Sequence, residues 1–421
     1  VEAPPSDAAD EVTRPKPTSL VTTERGLRET VERLSQSSRI AVDVESNGLF
    51  RYRATLCVLQ LATPDEVIVI DPLAVALEPL AELLGPSGPT KIVHDVAFDA
   101  RILAEAKVVL ANVLDTSIVA RMLGRSATGL ASLLEAELGV KLDKKLQHHD
   151  WTERPLRAEH LRYLAEDVAH LEALAERLLA EAERAGITEA TEEETRYRLA
   201  QAVAAAGTVD PRPPYLRLKG IDRVPPEELP ILRRLAEVRE EKAKSLDVPP
   251  YKVIGADVLF AIARARPTTL EELSRVKGAT AGPRARSLGP AMLEAVARGL
   301  EDGAIPEEER AMLERPRPPQ ADVKARRARE NRLTSWRKAE AKRRAVDEQV
   351  VLPGHCLQDL LDLGDRASLD TIARVPGIGA FRVARDGQTI LSILLDDARR
   401  EAPPPPNRFE DDLAEPEVAP S

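Results

Sequence analysis

Cysteine is nearly absent from this sequence. Cys57 and Cys356 are its two thiols, about 300 residues apart, and no C-x-x-C pair occurs. A zinc or redox motif is thereby excluded, and both thiols are expected to be reduced. Long apolar runs are missing too: no stretch of about 18 apolar residues is present to span a bilayer as a helix. No Gly-Lys-Ser or Gly-Lys-Thr triplet closes a Walker A loop, which removes the P-loop enzymes, helicases among them. Val1 to Thr18 is rich in Pro, Asp and Glu and lacks the basic-then-apolar order of a secretory signal, so a cytoplasmic address is expected. No coiled-coil heptad is apparent, and a monomer is expected.

What remains is the composition of an ordinary folded protein, 43% hydrophobic and 31% charged, with 3% aromatic residues. At 421 residues the chain is too long for one compact core and suits two to four domains. The formal net charge of −10 would by itself argue against a polyanionic partner, which is held through Lys and Arg. The charge is segregated, however. Between Val323 and Arg344 ten basic residues stand against Glu330 and Glu340, while acidic tails at both ends, such as Phe409 to Asp412, help account for the global minus sign.

The patterning divides the chain. After a tail over 1–18, a short strand near Ser19 and a helix carrying Leu27, Val31 and Leu34 open a domain expected over 19–205. Strands are expected at Ile40 to Glu45, Leu56 to Ala62 and Val67 to Ile70; Asn47-Gly48 and Pro64-Asp65 between them predict an antiparallel meander. Helices at Leu73 to Leu84 and Val96 to Ala106, with short strands at Lys91 to His94 and near Val113, predict a mixed sheet covered by helices. From Thr128 to about Arg184 the chain reads as helices, one of them striped by Leu161, Leu164, Val168, Leu171 and Leu174. A breaker-rich linker over 206–224 precedes helical domains expected over 225–304 and 324–400, and 401–421 reads as a disordered tail. The two helical domains read as copies about 99 residues apart. Leu270 aligns with Leu369, Gly278 with Gly377 and Gly289 with Gly387, and the second copy is degenerate.

Carboxylates recur at informative places. In Ile40 to Glu45, period-two alternation puts Ile40 and Val42 on one face with Val44, and Ala41, Asp43 and Glu45 on the other. Residues i and i+2 on a strand are about 7 Å apart, which lets two carboxylates flank a pair of cations; a solvated sheet edge would show the same pattern. Asp99 falls in an early helical turn just past a strand ending at His94, where an acid also suits the helix dipole. Tyr163 and Asp167 are four apart, hence on one helical face, expected opposite the Leu/Val stripe.

The order Asp43-x-Glu45, His94 to Asp99, Tyr163-x-x-x-Asp167 resembles the three motifs of the DEDDy exonucleases. The segment from His149 through Asp150, Trp151, Arg154, Pro155 and Leu156 resembles the ribonuclease D family in particular. Residues 225–304 look like an HRDC domain, a helical nucleic-acid-binding module. The resemblance implies an α/β RNase H-like exonuclease domain followed by two all-α HRDC-type domains, the second degenerate. It also implies a 3′→5′ exoribonuclease that trims RNA carrying a single-stranded 3′ end, tRNA precursors foremost, and releases nucleoside 5′-monophosphates. Asp43, Glu45, Asp99 and Asp167 would then hold two divalent ions, Mg²⁺ or Mn²⁺, to which oxygen ligands are suited. Tyr163 would orient or deprotonate the attacking water.

Other residues carry competing readings. Gln60 and His94, on strands near the site, suit either substrate contact or core hydrogen bonding. Asp115-Thr116 reads as a helix cap, and His148 and His149 as surface residues. Gly377 to Gly379 has the form of a phosphate-binding hairpin, on a single G-x-G. In the basic run, Arg326, Arg327 and Arg329 are read as an RNA-phosphate footprint and Trp336 as a stacking platform or a core residue. Two alternatives stay open on the sequence: a DNA-directed exonuclease of the same superfamily, and a non-catalytic RNA-binding adaptor.

Overall fold

The computed structural model describes residues 16–208, 210–313 and 320–395. The tails expected at 1–18 and 401–421 lie outside the described residues, apart from 16–18. The described residues form two compact units, one running to residue 313 and taking in 340–351, the other comprising 320–339 and 352–395. No described helix is long and apolar enough to cross a membrane.

The first unit opens with β1 (Thr18–Val21) and α1 (Glu24–Leu34). Thr23 caps α1 by accepting the Gly26 N–H, and the apolar spacing buries Leu27, Val31 and Leu34. The meander follows as β2 (Arg39–Ser46), β3 (Leu56–Ala62) and β4 (Val67–Ile70), paired antiparallel in both steps. The next helix, α2 (Leu80–Leu84), is shorter than the Leu73 to Leu84 span expected. In its missing turns Asp71 Oδ1 accepts the Leu73 N–H at 3.0 Å and Glu24 Oε1 the Ala76 N–H at 2.7 Å. Pro79, which has no N–H to donate and disfavours helical geometry at Glu78, interrupts the span, and the helix starts only after it.

Next come β5 (Thr90–Val93), α3 (Val96–Glu105), β6 (Val113–Asp115), α4 (Thr116–Met122) and α5 (Leu130–Leu138). The sheet is mixed, in the order β1-β4-β3-β2-β5-β6, with β1 parallel to β4 and β5 parallel to both β2 and β6. Three helices complete this part: α6 (Ala158–Ala169), α7 (Leu171–Arg184) and α8 (Thr188–Ala205). Ile40, Val42 and Val44 are buried on one face of the sheet. On the other, Ala41, Ala62, Val67 and Ile92 pack against Val168, Leu171 and Ala175 of α6 and α7. The face bearing Asp43 and Glu45 is therefore roofed, not solvated.

The remainder is helical. Up to residue 313 it consists of α9 (Leu229–Ser245), α10 (Ala256–Ala265), α11 (Leu270–Arg275), α12 (Gly282–Ser287), α13 (Gly289–Asp302) and α14 (Glu307–Leu313). Leu232, Leu235, Ile262, Met292 and Val296 belong to its core. Close approach of α13 to α9 requires Gly299, where a Cβ would fall 2.4 Å from the Ile231 Cα. Further on are α15 (Gln320–Arg344), α16 (Glu348–Val351), α17 (Cys356–Leu363), α18 (Leu369–Ala373) and α19 (Ala380–Leu395). The aligned positions of the two helical segments have matching local structure. Thr269 and Ser368 cap α11 and α18, and Gly278 and Gly377 both have positive φ, 89° and 80°. A Cβ at Gly289 would meet Leu270 at 2.9 Å, and one at Gly387 would meet Leu369 at 3.4 Å.

Candidate active site

β2 delivers Asp43 and Glu45 to one end of the roofed face, and α6 lowers Asp167 toward them. Carboxylate oxygens of these three residues lie within 4.8 Å of one another. Tyr163 and Asp167 do not oppose the apolar stripe as expected. At 100° per residue, Asp167 stands only about 60° around the helix from Leu164, so the pair flanks the stripe and is carried to the sheet with it. Tyr163 packs beside Trp151, ring centroids 5.7 Å apart.

Asp99 projects from the first turn of α3 and is 3% exposed, with an Oδ2 that has no hydrogen-bond partner. It is outside the 4.8 Å group, and its pKa is held well above the ordinary value by burial first and then by the charges of neighbouring acids, Asp43 and Glu45 among them. Its helix is anchored by Asp115, whose carboxylate accepts the Asp95 and Val96 N–H groups and also caps α4 through Ser117 and Ile118. Asp115 thus has the capping role expected, at two helices rather than one.

Burial and mutual repulsion dominate the electrostatics. Desolvation pushes Asp43 up to about 7 and Asp167 to about 8, in the latter case helped by Asp43. Glu45 rises to about 9 through burial and the charges of Asp43 and Asp167. The Trp151 indole N–H is turned toward Glu45 and offsets part of that rise, while remaining outside hydrogen-bonding geometry. Burial and the same acids push the Tyr163 phenol up as well. Converging acids that resist ionisation, one with an orphaned oxygen, make an all-oxygen donor set suited to hard divalent cations.

Next to this cluster is a cavity of about 480 Å³ bordered by Glu45, Leu49, Tyr52, Phe98, Trp151 and Pro249. Its exposed apolar side chains, Leu49 and Phe98, and its tyrosine were not singled out from sequence; the one available signal was Phe98 adjoining Asp99. The Trp151 segment is held by Arg154, which forms a two-point ion pair with Asp71 (Nε–Oδ2 2.6 Å, Nη2–Oδ1 2.7 Å) and donates to the carbonyls of Cys57 and Trp151.

The other candidates separate. Gln60 is directly across from Asp43 but fully buried, so it is a neighbour of the acids and out of reach of substrate. His94 Nδ1 lies 2.8 Å from Thr116 Oγ1, and burial lowers its pKa. His148 is exposed, whereas His149 corrects the surface reading: it packs against Trp151 and His160 at 4.9 and 4.6 Å between centroids. The basic run is not one solvated face. Arg326 pairs with Asp362 and Gln358; Arg329 is buried, bonded to the Leu394 carbonyl at 3.1 Å and to Asp365 at 2.5 Å. Arg327 alone of the three is exposed, and Trp336 is half-buried. Opposite charges at Asp362 and Asp365, far away in sequence, turn this stretch into a packing element. Gly377 and Gly379 adopt positive φ ahead of α19, as a tight turn requires.

Residues 18–183 match the family described as 3′-5′ exonuclease, and residues 228–296 match the HRDC domain. Fold and sequence together define a 3′-5′ exonuclease joined to an HRDC domain. The chain is 31% identical to ribonuclease D of Serratia proteamaculans over 302 residues, 70% of this chain and 80% of that protein. It is 32% identical to ribonuclease D of Gluconacetobacter diazotrophicus over 311 residues, 72% and 78% of the two chains. The crystal structure of Escherichia coli RNase D superposes with a TM-score of 0.65 at 24% identity, over 90% of this chain and 99% of that one. The chain belongs to the ribonuclease D family and is a 3′-5′ exoribonuclease.

Proposed function

We propose that this enzyme trims single-stranded 3′ ends of RNA one nucleotide at a time, on substrates that include tRNA precursors, and releases nucleoside 5′-monophosphates. The observation that carries the reading is the meeting of Asp43, Glu45 and Asp167 within 4.8 Å, with Asp99 buried alongside. Asp43, Glu45, Asp99 and Asp167 are the proposed ligands of two divalent ions, Mg²⁺ or Mn²⁺, which when bound supply an activated water and charge neutralisation at the departing 3′ oxygen. The cavity beside Glu45 is sized for a terminal nucleotide, and Leu49 and Phe98 offer apolar surface to its base. Because burial and the neighbouring acids raise the Tyr163 phenol, it keeps its proton at neutral pH and serves as a hydrogen-bonding orienter of the water, not as its base. Two buried free thiols accord with a reducing, cytoplasmic setting. The shared cap, glycine and leucine positions support reading residues 324–400 as a degenerate second HRDC-like copy.

Mass analysis of the products from a tRNA precursor with a 3′ extension, with and without chelator, tests the reading. Nucleoside 5′-monophosphates that vanish with chelator are expected; internal cleavage, or release indifferent to chelator, would end it. An Asp43→Asn protein is expected to bind the RNA and release nothing.

A further inference from the structure

Residues 47–54 of the loop joining β2 to β3 are fastened to the HRDC domain through Leu49, Arg51 and Tyr52. Tyr52 Oη donates to Glu240 Oε1 at 2.5 Å. Asp247 takes both the Tyr52 N–H, at 3.2 Å, and Arg51 Nη1, at 3.1 Å. Tyr251 Oη donates to the Leu49 carbonyl at 3.1 Å. Loop and HRDC domain are therefore one continuous wall, and Pro249 carries that wall into the cavity beside Glu45.

The charges on this wall do not cancel. Arg51 is answered by Asp247, and Arg217 lies 3.9 Å from Glu240. Arg53, Lys244 and Lys252 form no ion pair among the described residues. Lys252 Nζ stands 4.2 Å over the Phe50 ring and Lys244 Nζ 5.8 Å over the Tyr52 ring, while Arg53 is exposed on the loop itself. Tyr251 is 55% exposed and is bonded to Leu49, which borders the cavity. In a chain of net charge −10, three cations without ion pairs gathered along this seam, where Tyr52 and Pro249 adjoin a cavity that Glu45 borders, are a segregation of charge. Such a seam attracts a polyanion whose end is drawn to the cavity. In the basic run, Arg326 and Arg329 are taken up by ion pairs with Asp362 and Asp365.

We infer that the seam between loop 47–54 and the HRDC domain is the track for RNA phosphates upstream of the terminal nucleotide, with Arg53, Lys244 and Lys252 as its cations and Tyr251 as a stacking face. The inference rests on the 3′-trimming reading above and adds where the rest of the strand lies. The HRDC domain then does more than tether RNA at a distance, since it forms one bank of the entry channel.

The full-length chain tests it. In an Asp43→Asn background, so that the RNA survives, the triple reversal Arg53→Glu, Lys244→Glu, Lys252→Glu is compared with the unreversed protein on single-stranded RNAs of about 12 and about 3 nucleotides. The longer RNA is expected to lose affinity at least about tenfold more than the shorter one. The slope of log affinity against log salt is expected to fall by about 2, at roughly 0.7 per single-strand phosphate. The neutral set Arg53→Gln, Lys244→Gln, Lys252→Gln reads the same effect at smaller size should the reversal disturb folding. An unchanged salt slope, or equal losses on both lengths, discards the track while leaving the trimming reading intact. Failure of the native enzyme to shorten either RNA removes the trimming reading, and the track with it.

Discussion

Gln60 stands directly across from Asp43 in the pairing of β2 and β3, on the same face, fully buried, and neither of its amide atoms has a hydrogen-bond partner among the described residues. An unsatisfied buried amide costs about 1–3 kcal/mol, and a fold keeps such a group where the site needs it. With divalent ions held by the acids, this amide would be the hydrogen-bonding neighbour of Asp43. Gln60→Leu is expected to raise the stability of the metal-free protein by about 1 kcal/mol in denaturant titration. It is also expected to weaken Mn²⁺ binding about tenfold by calorimetry. Greater stability with unchanged metal affinity would reduce Gln60 to an accident of packing.

The clustered acids give the metal-free enzyme a pH signature. With Asp43 near 7, Asp167 near 8 and Glu45 near 9 in the folded state, all above the roughly 4 of an unfolded chain, the folded protein binds more protons between those limits. Its stability is fully present below about pH 4 as far as these groups are concerned, and is lost as pH rises toward 9. Melting curves with chelator should therefore shift to lower temperature from pH 6 to pH 9, and Mg²⁺ or Mn²⁺ should recover more stability at the higher pH. A metal-free melting temperature that climbs across this range would contradict the burial of the acids.

Arg154 and Asp71 fix the Trp151 segment beside Glu45 through a largely desolvated ion pair. Removing one partner of such a pair leaves the other uncompensated, so Asp71→Asn or Arg154→Met is expected to cost roughly 3 kcal/mol and to depress nucleotide release as Trp151 shifts. The double variant Asp71→Leu/Arg154→Met should recover part of the stability but not the activity. A double-mutant cycle in urea measures the coupling; additive losses would show the pair to be unimportant.

Within the basic run, neighbouring arginines should behave differently. Arg329→Met removes bonds to the Leu394 carbonyl and Asp365 and is expected to destabilise the second unit by about 2 kcal/mol. Arg327→Glu, at an exposed position, is expected to change stability by less than about 0.5 kcal/mol. Thermal melts of the two variants decide the matter, and equal effects would mean that Arg329 is not a packing residue.

Much of this was legible in sequence because it depends on local periodicity. Alternation along Ile40 to Glu45 set Asp43 and Glu45 on one face, and turn residues between strands gave the meander. The four-residue spacing of Tyr163 and Asp167 put them on one side of α6, though their angle to the stripe was misjudged. Less legible was whatever depends on partners distant along the chain. Nothing near Leu73 announces that Glu24 will take the Ala76 N–H, although Pro79 is a local signal for the late start of α2. Nothing within the Arg326 to Arg329 run announces Asp362 and Asp365, which turn a surface patch into a packed helix. His149 reads as a surface residue because no local period shows its ring packing against Trp151 and His160.

By itself the sequence determined which acids exist, their order, and the faces of strand and helix on which they project, since backbone geometry repeats every two or 3.6 residues whatever the surroundings. Tertiary structure alone decided that Asp43, Glu45 and Asp167 share a space small enough to hold cations, that Gln60 is sealed beneath them, and that Tyr52 is clasped by Glu240. Distances of that kind, and the desolvation that accompanies them, depend on packing between elements well apart in the chain, for which no local period carries information.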